Sequence, residues 1–185
     1  MKKIIFIAGF TGGKRDFIFA KMFFKKYSFI YFKYNTLLVE NIEKIARDLK
    51  KFIDSLNLEK NEKVYLIGMS AGGVIAEYYA KFLDSKKKIK KIYTIHSPLK
   101  GSYCLSPIKL KGAQQLSAKS DFIKKLNKNK TKVNQLNFWN YFDYIVPGKS
   151  AKGKNPKNSF MPIHSIIQWW PPIYFSIKKD LEKIT

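Results

Sequence analysis

Short apolar runs alternate with longer stretches of helical period along the first half of the chain, and that order restricts it to few architectures. Lys3 to Ala8, Phe29 to Tyr34, Val64 to Ile67 and Ile89 to Ile95 are brief runs rich in β-branched and aromatic residues, and each reads as a strand. Between them, Phe17 to Lys26 has a short helical spacing and Ala71 to Leu83 a longer one. Asn41 to Leu56 sets Ile42, Ile45, Ala46, Leu49, Phe52, Ile53 and Leu56 on one face and its charged residues elsewhere, the signature of an amphipathic helix. Strand, helix and strand joined by short connections imply parallel neighbours, with helices covering both faces of the sheet. The fold class is therefore α/β with a mainly parallel sheet.

The second half is less regular. Ser97 to Ser117 holds Pro98, Gly101, Pro107 and Gly112 without a clear period and reads as a long surface excursion. Asp121 to Leu126 is expected to be a short helix and Val133 to Tyr141 a strand. Pro147 to Ser159 reads as a solvated loop, Phe160 to Ile163 as a last strand, and Pro171-Pro172 as the start of a closing helix through Lys183. A chain of 185 residues fits one domain over 1–185 and can bury a core without disulfides or metal. The lone Cys104 excludes an internal disulfide and a four-thiolate zinc site, and His96 and His164 are too far apart for a helical His pair. No metal or cofactor is expected.

Met1-Lys2-Lys3 before Ile4 resembles the opening of a secretory signal, but the apolar run breaks at Gly9 and no small-residue cleavage site follows. No segment has about 18 apolar residues in a row, so no spanning helix is expected. These features point to a cytoplasmic protein, at most peripheral at the inner membrane surface. The net charge of +23 comes almost wholly from Lys, with Arg only at 15 and 47. Lys is a poorer bidentate reader of phosphate than Arg, so a generic solvated surface is favoured over a nucleic-acid site. Glu occurs only six times, however, and a Lys excess without matching Glu leaves contact with an anionic membrane open.

Gly68-Met69-Ser70-Ala71-Gly72-Gly73 falls between the third strand and the helix that follows it. A GxSxG pentapeptide in that context makes a nucleophile elbow. A Ser at the tip of so sharp a turn takes a positive φ, and residues two before and two after must be small where the chain segments nearly touch. Gly68 and Gly72 meet that need, and the turn leaves Ser70 at a helix amino end that favours developing negative charge. A phosphate-binding Gly-rich turn is the bland alternative.

A serine hydroxyl needs a base within hydrogen-bond reach, and only two histidines can serve. His96 and His164 both follow strands, on the edge where Ser70 is expected. His164 is favoured because it completes the chain order Ser, acid, His; His96 reads better as a packed residue. Asp143, just past a strand pattern, is the best placed carboxylate between Ser70 and His164; its competitors Glu77, Asp84 and Asp121 fall on helices or their ends. For oxyanion donors the backbone amides of Ala71, directly after the serine, and Phe10, in the turn after the first strand, are the candidates.

Together, Lys3–Ala8 with Gly9-Phe10, the Gly68–Gly73 elbow, Ser97-Pro98-Leu99-Lys100-Gly101-Ser102, Asp143-Tyr144-Ile145-Val146-Pro147 and His164 resemble the α/β-hydrolase superfamily. They are most similar to small lipase and esterase-like serine hydrolases, including compact lipases without a lid. The resemblance spans nearly the whole chain and implies Ser70 as nucleophile, Asp143 as acid, His164 as base, Phe10 and Ala71 as oxyanion donors, and little or no cap. The implied reaction is cleavage of a small-molecule or lipid ester, or a thioester, through an acyl-enzyme. Such lipases commonly carry His-Gly where this chain has Ala8-Gly9, and His where it has Met69, which weakens the likeness to triacylglycerol lipases. Ser97 to Ser120 is the one candidate for partial cover. Trp169-Trp170-Pro171-Pro172-Ile173-Tyr174-Phe175 either packs the last helix or lines an acyl groove. Two other readings stand beside the hydrolase: a non-catalytic anion-binding module, and an acyltransferase using the same triad.

Overall fold

A computed structural model describes residues 1–161 and 163–184. Six strands, β1 (Lys3–Ile7), β2 (Ser28–Tyr31), β3 (Val64–Met69), β4 (Ile89–Ile95), β5 (Asn134–Trp139) and β6 (Pro156–Asn158), form one sheet in the order β2-β1-β3-β4-β5-β6. Every pairing is parallel. The fold is that of an α/β-hydrolase, and its sheet is covered on both faces. Alternation along β1 shows why: Ile4, Phe6 and Ala8 belong to one buried cluster, Ile5 and Ile7 to the other. Helices α1 (Lys14–Lys21) and α7 (Pro171–Lys183) cover the first face, through Ala20, Ile173, Tyr174, Ile177 and Leu181. Helices α2 (Ile42–Ser55), α3 (Ala71–Phe82) and α5 (Asp121–Lys128) cover the second.

Local signals explain the helix ends. The Asn41 side chain accepts from the Lys44 amide and caps α2, the Ser120 hydroxyl accepts from the Ile123 amide and caps α5, and Pro171 opens α7. Helix α1 lies three residues earlier than its apolar spacing suggests, because the Asp16 carboxylate accepts from the Gly13 amide and fixes the start there.

Three sequence expectations are corrected. Residues 97–117 are not a surface excursion: Leu105, Ala113 and Leu116 are buried, and a short helix α4 (Lys111–Gln115) is stitched to the rest by Gly112 N to Leu38 O at 2.9 Å and Ile42 N to Gln115 Oε1 at 2.6 Å. Hydrogen bonds between distant loops, not a repeating ladder, hold it, so it carries no period. Residues 147–159 are not a solvated loop, for they contain α6 (Gly148–Ala151), whose Ser150 and Ala151 are buried, and the edge strand β6. Pro156 is tolerated as the first residue of that edge strand. The last strand is thus not Phe160 to Ile163; Phe160 is exposed with a φ of 58°, and Pro162 lies outside the described residues.

Candidate active site

The sheet order reverses between β1 and β3, where the chain leaves β1 toward β2 on one side and returns to β3 on the other. Crevices at such switch points are where open α/β sheets bind ligands. Gly9 and Phe10, past β1, and Ser70, past β3, meet at this point and line a cavity of about 500 Å³ with Ile145, His164 and Trp169.

Ser70 has φ 46° and ψ −118°, well outside the ordinary basins, and its amide is held by Ile95 O at 2.8 Å. The turn is tight enough that a Cβ on Gly68 would lie 2.5 Å from the Gly73 Cα. Helix α3 starts directly after Ser70, so the Ala71 amide is one of the first-turn donors that have no partner within the helix.

The Ser70 Oγ lies 3.0 Å from His164 Nε2, and His164 Nδ1 lies 2.7 Å from Asp143 Oδ2. The other carboxylate oxygen, Oδ1, accepts from the amides of Ile145 at 2.9 Å and Val146 at 2.8 Å. Asp143 and His164 are buried. Of the competing carboxylates, Glu77 is paired with Lys81 at 2.7 Å and Asp121 with Lys124 at 2.8 Å, while Asp84 accepts from the Lys88 amide at 2.7 Å. Burial pushes the Asp143 carboxyl upward, but the hydrogen bonds from His164 and His96, the charge on His164 and the Val146 amide outweigh it and hold the group well below the usual carboxylate range.

Sequence reasoning set His96 aside as a packed residue, and the structure gives it a place in the site. The ring is fully buried, its Nδ1 lies 2.5 Å from the same Asp143 Oδ2, and its Nε2 lies 2.7 Å from Ser159 Oγ. Far apart in sequence, the two imidazoles have centroids only 6.0 Å apart. The available signal was that both histidines follow predicted strands on the Ser70 edge. Ser159, at the end of what reads as a solvated loop, offered none.

His96, Asp143 and His164 are also a set of potential metal donors, with ligand atoms within 4.8 Å of one another. Tetrahedral ligands about 2.0 Å from a zinc ion stand roughly 3.3 Å apart. The separations of 2.5 and 2.7 Å onto one oxygen are hydrogen-bond lengths instead.

Among the described residues none of 97–120 lines the cavity; its lining comes from residues 9–16 and from 164, 165 and 167–169, with Met69, Ser70 and Ile145. The aromatic segment after His164 is split between packing and the cavity wall. Ile173 and Tyr174 are buried against α1, and Trp169 lines the cavity.

The family model of palmitoyl protein thioesterase matches residues 26–148, about two thirds of the chain. The chain belongs to the palmitoyl protein thioesterase family. No curated protein matches it in sequence. Solved structures agree on the fold of this family member. Lipase B of Aspergillus fumigatus superposes with a TM-score of 0.75 at 14% identity, over 94% of this chain and 50% of that one. The chain thus spans half the length of that lipase. The mature lipase BlEst2 of Bacillus licheniformis gives 0.69 at 17% identity, over 97% and 91%. The ydeN gene product of B. subtilis gives 0.72 at 16%, over 99% and 100%. The thioesterase-family chain is thus a small α/β-hydrolase, esterase-like in architecture. No helix among the described residues is long and apolar enough to cross a membrane.

Proposed function

We propose that this chain, one domain over residues 1–185, is a serine hydrolase that cleaves an acyl ester or thioester through an acyl-enzyme on Ser70. The reading is carried by the 3.0 Å approach of Ser70 Oγ to His164 Nε2 at a strained elbow. Ser70 Oγ attacks the acyl carbon while its proton passes to His164 Nε2, and Asp143 supports the imidazolium through Nδ1. The tetrahedral oxyanion rests on the amides of Phe10 and Ala71. His164 then protonates the leaving alkoxide or thiolate. A water attacks the acyl-enzyme, gives its proton to His164, and the collapse returns that proton to Ser70 while the carboxylic acid leaves.

Two observations favour acyl substrates. The family's description names a palmitoyl thioester, and the cavity at Ser70 shares Arg15 and Trp169 with an apolar groove lined also by Ile18, Phe19 and Met22. Ser70→Ala is expected to abolish both labelling by a fluorophosphonate probe and hydrolysis of a short p-nitrophenyl ester, with an unchanged circular dichroism spectrum. Equal labelling of wild type and variant would overturn the assignment.

Contact with an anionic membrane is a second part of the proposal. Tyr141, Phe142, Tyr144, Phe160, Ile163, Ile166 and Trp169 are exposed in the segments that carry Asp143 and His164, on a chain of charge +23. Sedimentation with anionic vesicles but not neutral ones is the expected result; binding indifferent to lipid charge would remove electrostatics from the account.

A further inference from the structure

We propose that His96 is a positioning residue of the Ser70–His164–Asp143 relay: a neutral second donor that clamps the Asp143 carboxylate and ties it, through Ser159, to the segment that carries His164. The inference rests on the serine-hydrolase reading above.

The geometry uses each hydrogen once. With a proton on Nδ1, His96 donates to Asp143 Oδ2 at 2.5 Å, and its bare Nε2 accepts from the Ser159 hydroxyl at 2.7 Å. Ser159 Oγ in turn accepts from the Met161 amide at 3.4 Å. Both ends of this limb are anchored. The His96 amide donates to Phe138 O at 2.9 Å, and a φ of 46° turns the chain out of the extended path of β4 at that residue. The Ser159 amide donates to Trp139 O at 2.9 Å, and its carbonyl accepts from Trp170 Nε1 at 3.0 Å. His164 lies between Ser159 and Trp170 in the chain, so the limb fixes both sides of the segment that delivers it.

Two consequences follow for the relay. Asp143 has three donors that do not depend on His164: the Ile145 and Val146 amides on Oδ1 and His96 on Oδ2. The carboxylate is therefore held still while the His164 proton comes and goes. The second donor also shares the charge on Oδ2, so Asp143 pulls less strongly on the Nδ1 proton of His164, which keeps His164 from becoming too strong a base to give its proton up. The titratable groups acting on His96 are Asp143, from the loop after β5, and His164, from the turn at 164–169. Burial holds His96 below the ordinary imidazole value against the pull of Asp143.

Three variants separate a positioning role from simple packing. His96→Ala removes both hydrogen bonds. His96→Asn places an amide where Nδ1 stood and keeps the donor to Asp143. Ser159→Ala removes only the far anchor. His96→Ala is expected to lower kcat on a p-nitrophenyl ester by about 10–100-fold with KM nearly unchanged. It is also expected to move the acidic limb of the kcat–pH profile to higher pH, because Asp143 then pulls harder on the His164 proton. His96→Asn should restore the position of that limb and most of kcat, and Ser159→Ala should fall between them. A His96→Ala enzyme with wild-type kcat and acidic limb, or a loss that Asn does not repair, overturns the proposal.

A nitrogen-15 histidine spectrum of the wild type needs neither activity nor a stable variant. It should show His96 as the neutral Nδ1–H tautomer at neutral pH, and the Nε2–H form or a cation would overturn the clamp. Wild-type protein that neither reacts with the fluorophosphonate nor hydrolyses esters would defeat the serine-hydrolase reading instead, and the tautomer would still decide whether His96 clamps Asp143.

Discussion

Gly72 brings α3 so close to the backbone of β1 that a Cβ at position 72 would lie 2.2 Å from the carbonyl oxygen of Ile7. The obstacle is backbone, not the end of a flexible side chain, so Gly72→Ala must push the elbow helix away from the strand. The expected cost is more than about 2 kcal/mol of unfolding free energy, measured by urea titration. Gly13→Ala is the control, since nothing lies within 4 Å of its added methyl; its cost should stay under about 1 kcal/mol. Equal losses for the two would remove the close approach as the reason for glycine at 72.

Stability should fall on acidification in two steps. His96 has a folded pKa below its unfolded value near 6.5, so the unfolded chain binds more protons in that window and stability is lost as pH drops through it. Asp143 is also depressed, and its contribution is complete above its unfolded value near 4 and disappears as pH falls below it. Urea titrations of wild type at pH 7.5, 5.5 and 4 should show a progressive drop. In His96→Asn, which lacks the titrating ring, the loss between pH 7.5 and 5.5 should be smaller. An identical slope in both proteins would show that His96 does not couple to folding.

The parts legible in the sequence are those whose signal is local. Periodicity places α2 to within a residue, because its apolar face and the Asn41 cap lie in one stretch of chain, and the Pro171-Pro172 pair marks the start of α7. The elbow at Ser70 was legible because its sterics demand glycine at fixed offsets. What sequence did not yield depends on partners far away. Strand β6 is three residues long, begins with Pro156 and pairs with β5 through Asn137, Phe138 and Trp139, so nothing in its own composition marks it. The segment 97–117 is held in place by bonds to Leu38, Ile42 and Ile145, which only the folded chain brings near it. His96 carries the sharpest lesson. A histidine after a strand fits a packed core as well as a site, and only the shared Asp143 oxygen tells the two apart.

Glu77 on α3 is buried away from the elbow and is held by one cation. Lys81 Nζ lies 2.7 Å from Glu77 Oε1 and donates to Leu126 O at 2.8 Å, with side-chain exposures of 6% for Lys81 and 10% for Glu77. Lys81→Ala leaves a carboxylate buried without its counter-charge, which costs about 3–5 kcal/mol. The double variant Glu77→Gln with Lys81→Met removes both charges and should recover most of that loss. Thermal denaturation of the three proteins checks this; a double variant as unstable as Lys81→Ala would show that volume, not the stranded charge, sets the cost.

The apolar groove beside the cavity at Ser70 makes the proposed acyl substrate testable. Arg15 and Trp169 line both the cavity at Ser70 and an apolar groove whose other walls are Ile18 and Phe19 on α1 and Met22 just past it. On the acyl-enzyme proposed above, a chain on Ser70 Oγ would run past Trp169 and lie along α1, burying methylenes worth about 0.8 kcal/mol each. Ile18 and Trp169 are exposed, at 51% and 46%, so substitutions there leave the core alone. Ile18→Asp is expected to lower kcat/KM for a long-chain p-nitrophenyl ester by about 10-fold or more, because one charge in the groove opposes several methylenes. The value for the acetate ester, too short to reach α1, should stay within about 2-fold. Trp169→Ala should act in the same direction more weakly, since the indole is replaced by space and not by charge. Equal losses on short and long esters would place the chain elsewhere and leave the α1 groove without a part in substrate binding.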